Sequence, residues 1–113
     1  MPHCIIEYSD SLERQLSPDE LMHCVYLGAL NSKLFEADDI KSRVIPFQHF
    51  TSGTIKQNFI HVALKILSGR SSEQRKALSS SVLTELSKLP LSAISLTVEV
   101  IEIERSSYSK VVN

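Results

Sequence analysis

Hydrophobic and polar positions alternate in four short segments of the chain, and each segment is typical of a β-strand. The segments are HCIIEY at 3–8, IKSRVIPF at 40–47, FIHVALKI at 59–66 and LTVEVIEI at 96–103. They are rich in β-branched and aromatic residues, which pack well on a pleated surface. The third segment is apolar enough to be a central strand. In the second segment, alternation predicts that Lys41, Arg43 and Ile45 share one face of the sheet.

Two further segments repeat their apolar residues every three or four positions, which predicts two amphipathic helices. Each helix is preceded by a capping-box pattern, and the two patterns are Ser17 with Glu20 and Ser71 with Gln74. We expect the first helix to begin at Pro18 and end near 31–34, and Pro90 to end the second. The apolar stripes that face the core are predicted at Leu21, Cys24, Val25 and Gly28 and at Leu78, Val82, Leu86 and Leu89.

The predicted order of elements is β-α-β twice, which indicates an α+β fold in a single domain over 1–113. The first unit covers about 2–50 and the second about 57–104, and a polar tail follows at 105–113. Two such units form a four-stranded mixed sheet with both helices on one face. We expect another subunit to cover the other face, which is predicted to carry Ile5, Ile60, Val62, Val98 and Val100.

Charge and hydropathy exclude several classes of function. Twelve Lys and Arg residues against thirteen Asp and Glu give a net charge of −1 in 113 residues, so nucleic acid is not an expected partner. No apolar run approaches the roughly 20 residues of a membrane-spanning helix, and the amino terminus does not resemble a signal peptide. We therefore expect a cytoplasmic protein with no membrane partner. A core this small is marginal, which favours an oligomer.

The reactive side chains do not form a familiar motif. Cys4 and Cys24 have no CxxC spacing, so buried reduced thiols are expected. The histidines lack the short spacings of a zinc site, and we predict no metal. The serines of the second helix have no histidine and aspartate arranged around them, and no glycine-rich phosphate loop is present.

The pair Met1-Pro2 carries a different kind of chemistry. The initiator methionine is normally removed before proline, and Pro2 would then have a free secondary amine. Desolvation and neighbouring cations both disfavour the ammonium form, so they lower the pKa of such an amine towards neutral pH. A terminal proline in this setting is a candidate general base.

Three segments resemble the 5-carboxymethyl-2-hydroxymuconate isomerase family of the tautomerase superfamily. They are MPHCIIEYSD at 1–10, IKSRV at 40–44 and LKILSGRSSEQR at 64–75. The resemblance covers nearly the whole chain. It implies a homotrimer of β-α-β subunits in the breakdown of aromatic compounds, with an amino-terminal proline as base and no cofactor.

The resemblance also implies roles for individual residues. Pro2 would move a proton in an unsaturated 2-hydroxy acid, and Arg70 in the Gly-Arg-Ser turn would bind a carboxylate of a di- or tricarboxylate substrate. A second cation is expected from the second strand, either Lys41 or Arg43. The family pattern has arginine where this chain has Lys41, and lysine binds as a point charge where arginine binds as a planar fork.

Three functions remain open on the sequence. The chain is an isomerase acting on 5-carboxymethyl-2-hydroxymuconate, a tautomerase acting on another enol acid such as phenylpyruvate, or a non-catalytic trimer that binds ligands. All three predict the same fold. The first two require a free amine on Pro2 and a cationic pocket, whereas the third does not.

Overall fold

The protein is described by a computed structural model of all residues 1–113. Its four strands are β1 (His3–Ser9), β2 (Lys41–Phe47), β3 (Asn58–Leu67) and β4 (Ile94–Ile103), and its helices are α1 (Pro18–Asn31) and α2 (Ser72–Ser87). The strands form one sheet in the order β2-β1-β3-β4. β1 runs parallel to β2 and β3 parallel to β4, while β1 and β3 are antiparallel. The predicted pair of β-α-β units and the mixed four-stranded sheet are confirmed.

Both helices begin at the predicted capping boxes. The hydroxyl of Ser17 accepts from the Glu20 N–H at 3.1 Å, and the hydroxyl of Ser71 accepts from the Gln74 N–H at 3.1 Å. α1 ends as predicted, but α2 ends at Ser87 and not at Pro90. Because the residue before a proline is disfavoured in helical conformation, the last turn closes earlier than the sequence indicated. Neither helix is long and apolar enough to cross a membrane.

The core lies between the two helices and one face of the sheet. Sixteen buried hydrophobic residues form a single cluster, and every predicted stripe residue of the helices except Gly28 and Leu89 belongs to it. Gly28 is also buried, and Leu89 packs at the margin of the cluster. The helices touch where Gly28 faces Val82, and the Ser81 hydroxyl donates a hydrogen bond to the Gly28 carbonyl at 2.7 Å.

The opposite face of the sheet, which we call the open face, differs from the prediction. Ile60 and Val62 are fully buried beneath the helices, and Val98 and Val100 pack against the same core. Of the five aliphatic residues expected on the open face, only Ile5 lies there. Alternation along a strand separates two sets of side chains, but it does not say which set the helices cover.

Polar and charged residues share the open face with aliphatic and aromatic ones. The strand register aligns alternate residues of β1 with those of its neighbours, and alternate residues of β3 with those of β4. The side chains that share this face include His3, Ile5, Glu7, Lys41, Arg43, Ile45, His61, Ala63, Lys65, Thr97 and Glu99. The predicted grouping of Lys41, Arg43 and Ile45 on one side of β2 is confirmed.

Candidate functional site

The beginning of β1 lies between the beginning of β2 and the end of β3, so three segments meet at one end of the sheet. His3 pairs with Lys41 on one side and with Lys65 on the other. Pro2 is buried directly before β1, and its carbonyl accepts a hydrogen bond from the Lys41 N–H at 3.1 Å. This bond holds the predicted base beside a predicted substrate-binding residue.

Positive charges surround His3 on the open face. Burial, followed by the charges of Arg43, the terminal amine, Lys41 and Lys65, lowers the pKa of His3 below its ordinary value. The Arg43 guanidinium contacts the His3 ring directly, with 3.2 Å between Nη1 and Nδ1. Cations gathered at one point repel each other, and an anionic ligand such as a carboxylate relieves that repulsion.

The terminal amine of Met1 lies in the same electrostatic environment. Burial is the largest cause that lowers its pKa, followed by the charges of Lys41 and Lys110, while Asp39 acts in the opposite direction. The amine is therefore neutral at a lower pH than an ordinary chain terminus. Lys41 is the cation that the Met1 amine and the ring of His3 have in common.

Arg70 lies at the same end of the sheet, in the turn between β3 and α2. Gly69 before it has φ +125°, a backbone conformation that side-chain-bearing residues rarely adopt. The Arg70 guanidinium donates to the Leu34 carbonyl at 3.1 Å and lies 5.0 Å from the centre of the Phe35 ring. Leu34 and Phe35 precede β2 and Arg70 follows β3, so this contact crosses the beginning of β1, which lies between those strands.

The structure thus places Pro2 beside Lys41 and Arg43 beside His3, and it sets Arg70 at the same end of the sheet. Sequence reasoning missed Lys65, Arg105, Tyr108 and Lys110. Lys65 comes beside His3 only through the antiparallel register of β1 and β3, which no local pattern encodes. The other three lie in the polar tail, where the one available signal was an aromatic residue in a segment without hydrophobic periodicity.

The concavity of this single chain lies elsewhere, between α1 and α2. This open groove of about 280 Å³ is lined by residues that include His23, Cys24, Glu85 and Lys88. His3 faces away from the helices, so the groove is separate from the cationic end of the sheet. No three potential metal ligands lie close enough together to hold an ion.

Comparison with solved structures identifies the fold. A 5-carboxymethyl-2-hydroxymuconate delta-isomerase superposes with a TM-score of 0.84 at 18% identity, covering 100% of this chain and 89% of the other. A 5-carboxymethyl-2-hydroxymuconate isomerase from Deinococcus radiodurans R1 gives 0.80 at 23% identity, with coverage of 99% and 90%. The W0 fused 4-OT wild-type symmetric trimer gives 0.71 at 11% identity, with coverage of 90% and 87%. The tautomerase-like fold implied by the sequence resemblance is confirmed.

Comparison of the sequence with protein families gives a match over nearly the full length. The profile described as 5-carboxymethyl-2-hydroxymuconate isomerase matches residues 2–113. A search among curated protein sequences gives no match. Because the family match extends from the candidate base through all four strands and the tail, it covers every residue of the site at the end of the sheet. The chain therefore has a tautomerase-like fold, belongs to the 5-carboxymethyl-2-hydroxymuconate isomerase family and is an isomerase-type enzyme.

Proposed function

We propose that the protein isomerises 5-carboxymethyl-2-hydroxymuconate, an unsaturated 2-hydroxy tricarboxylic acid, with the secondary amine of Pro2 as general base. The observation that carries the proposal is the backbone hydrogen bond from the Lys41 N–H to the Pro2 carbonyl, 3.1 Å long, which makes a lysine the neighbour of the candidate base on the adjacent strand. The family match supports the reaction type. The reaction needs no cofactor, because one group both removes and delivers the proton.

The electrostatics around the amino terminus support a neutral amine as the base. Burial and the charges of Lys41 and Lys110 already lower the pKa of the Met1 amine. Removal of Met1 would transfer the terminal charge to Pro2, which is buried and adjoins Lys41. The same physical causes would then act on the Pro2 amine, and its lone pair would be free to accept a proton near neutral pH.

The reaction proceeds in two proton transfers. The Pro2 nitrogen takes the proton of the substrate 2-hydroxyl. As C2=O forms, the electron pair of C2=C3 moves to form C3=C4, the C4=C5 double bond breaks, and its electron pair places negative charge on C5. The ammonium of Pro2 then delivers the same proton to C5, which gives the 2-oxo-3-ene isomer. No atom is gained or lost, and the amine returns to its neutral form.

Cations at the end of the sheet would hold the substrate carboxylates and stabilise the dienolate. Arg43 and Arg70 provide planar guanidinium groups that fit carboxylates bidentately, and Lys41 provides a point charge next to the base. Negative charge spreads over the substrate in the transition state, so fixed positive charge lowers the barrier. A substrate with several carboxylates can form ion pairs with more of these cations than a monocarboxylate can.

We also propose that the protein assembles as a homotrimer through the open face. The fused 4-OT protein of similar fold is a symmetric trimer. The paired charges and scattered aliphatic residues of the open face are suited to contact with another copy, because interfaces combine apolar patches with a polar rim. A cytoplasmic location, single-domain organisation and the absence of nucleic-acid partners stay predictions.

The experiment that tests the proposal compares two forms of the same chain. Protein that begins at Pro2 and protein that retains Met1 are separated and verified by intact mass. Each is assayed spectrophotometrically against 5-carboxymethyl-2-hydroxymuconate and phenylpyruvate. We expect turnover of the first substrate only by the Pro2-terminal form, because an amide nitrogen in Met1-Pro2 has no basic lone pair.

The other outcomes separate the alternatives. Preferential turnover of phenylpyruvate would replace the substrate and keep the chemistry. Equal turnover by both forms would exclude Pro2 as the base. Turnover of neither substrate by verified Pro2-terminal protein would favour the non-catalytic binding role.

A further inference from the structure

The C-terminal segment after β4 runs back across the end of the sheet towards β1. A short 3₁₀ helix at Arg105–Ser107 follows β4. The Arg105 guanidinium donates to the Ser68 carbonyl, at 2.9 Å from Nη2 and 3.3 Å from Nε, which ties the segment to the end of β3. Tyr108 then reaches β1, where its hydroxyl lies 3.0 Å from Nε2 of His3.

The two contacts of His3 determine its tautomer. The Arg43 guanidinium has only N–H donors, so the Nδ1 atom of His3, 3.2 Å away, must be the acceptor. A neutral imidazole with an unprotonated Nδ1 carries its proton on Nε2. That proton is donated to the Tyr108 hydroxyl, which lies 3.0 Å from Nε2. Tyr108, His3 and Arg43 therefore form one directed chain of hydrogen bonds.

We infer that Tyr108 and His3 are positioning residues that fix the orientation of the Arg43 guanidinium at the substrate-binding end of the sheet. Arg43 is exposed, and a long exposed side chain samples many rotamers unless a fixed partner holds it. His3 is suited to this task because its ring stands on a strand and its second nitrogen is held by Tyr108. The inference rests on the proposed function, since it assumes that Arg43 binds a substrate carboxylate.

The chain of bonds also explains why a polar tail belongs to the site. Beyond β4 the segment adds nothing to the buried core, whose cluster ends before residue 104. Its side-chain hydrogen bonds to the rest of the protein are those of Arg105 with Ser68 and of Tyr108 with His3. Both contacts lie beside residues assigned to substrate binding, because Ser68 is two residues before Arg70.

The first test reads the tautomer directly and needs no activity. Long-range ¹⁵N–¹H correlation NMR distinguishes the Nδ1–H and Nε2–H tautomers of each histidine, and the spectrum of a His3→Leu variant identifies the signals of His3. We expect the Nε2–H tautomer in the wild-type protein and a mixture of tautomers in Tyr108→Phe. An Nδ1–H tautomer, or a His3 signal unaffected by Tyr108→Phe, would overturn the inference.

The second test measures steady-state kinetics of Pro2-terminal protein with 5-carboxymethyl-2-hydroxymuconate. Tyr108→Phe should raise KM about fivefold with kcat nearly unchanged, because a binding cation that is held less well weakens ground state and transition state alike. Tyr26→Phe on α1 is the matched control and should leave both constants and the midpoint of thermal unfolding at wild-type values.

A double-mutant comparison separates positioning from general stabilisation. If Tyr108 acts through His3, then Tyr108→Phe has no further effect on KM in a His3→Leu background. Effects that multiply would contradict the inference even when each variant is folded. Absence of turnover in the wild-type protein would contradict the proposed function only. The tautomer measurement would still test whether Tyr108 and His3 form the hydrogen-bonded chain to Arg43.

Discussion

The backbone of Val82 lies where a side chain on Gly28 would begin. A Cβ atom built on Gly28 would be 2.6 Å from Val82 Cα and 3.1 Å from its Cγ2. Atoms of the α2 backbone cannot move aside as a flexible side chain can. The close approach of α1 to α2 therefore depends on the absence of a side chain at residue 28.

We expect Gly28→Ala to destabilise the protein by about 1–3 kcal/mol, the cost of forcing a methyl group into a packed interior, despite the higher helix propensity of alanine. Urea unfolding measures the change in the free energy of unfolding. Ser80→Ala on the exposed side of α2 is the control and should leave stability unchanged or slightly higher. Equal stability of Gly28→Ala and wild type would mean that the helices can separate freely at this point.

Removal of the Arg70 guanidinium should lower kcat/KM by about 100-fold, in the range seen when one charge-stabilising donor is removed. Arg70→Lys should recover part of the loss, because it keeps the charge without the planar fork. The control is Arg14→Ala, an exposed arginine beyond the opposite end of β1. Full turnover by Arg70→Ala, with unchanged thermal unfolding, would remove Arg70 from the site.

A charge introduced at Ile5 should dissociate the proposed trimer. Ile5 is part-buried on the open face, paired with Arg43 in β2 and Ala63 in β3. We expect Ile5→Arg to shift the mass measured by light scattering from three subunits to one, because an unpaired buried charge is costly at an interface. Ile55→Arg, at a site 61% exposed in the loop after β2, should keep the wild-type mass. A wild-type monomer would refute the assembly itself.

Both cysteines should be inert in the folded protein. Burial is the main cause that raises the pKa of Cys4 to about 11 and of Cys24 to about 11, and the thiolate is the reactive form. Labelling by a disulfide reagent at about pH 8 should be slow in the native protein and rapid for both thiols after denaturation. Fast native labelling of Cys4 would contradict its burial.

The same thiols give a pH dependence with a defined sign. The unfolded chain loses their protons near pH 9, whereas the folded protein keeps them to about 11. The folded state therefore binds more protons in this window, and the free energy of unfolding falls as the pH rises from about 9 to 11. Replacing Cys24 by alanine should reduce this fall in the free energy of unfolding, as measured by urea unfolding across the alkaline range. The expectation does not depend on how the substitution changes stability at neutral pH.

Local patterns predicted most of the fold, and long-range geometry accounts for what they missed. The capping boxes located both helix starts because a cap is formed by residues three positions apart. The faces of β3 and β4 were assigned wrongly, because the alternation around Ile60 and Val98 is the same whichever face of the sheet the helices cover. Alternation placed Lys41 and Arg43 on one face, and their role in the site stays a prediction from the family resemblance. Lys65 and Tyr108 come beside His3 only through strand register and the path of the tail.

The location of the buried core bears on the order in which the protein folds and assembles. All sixteen core residues are buried within one chain, and none of them lies on the open face. A newly made chain can thus complete its own interior without waiting for another copy, unlike subunits whose folding requires association. Folding and assembly into the proposed trimer are then separate steps, and dilution would affect the second without reversing the first.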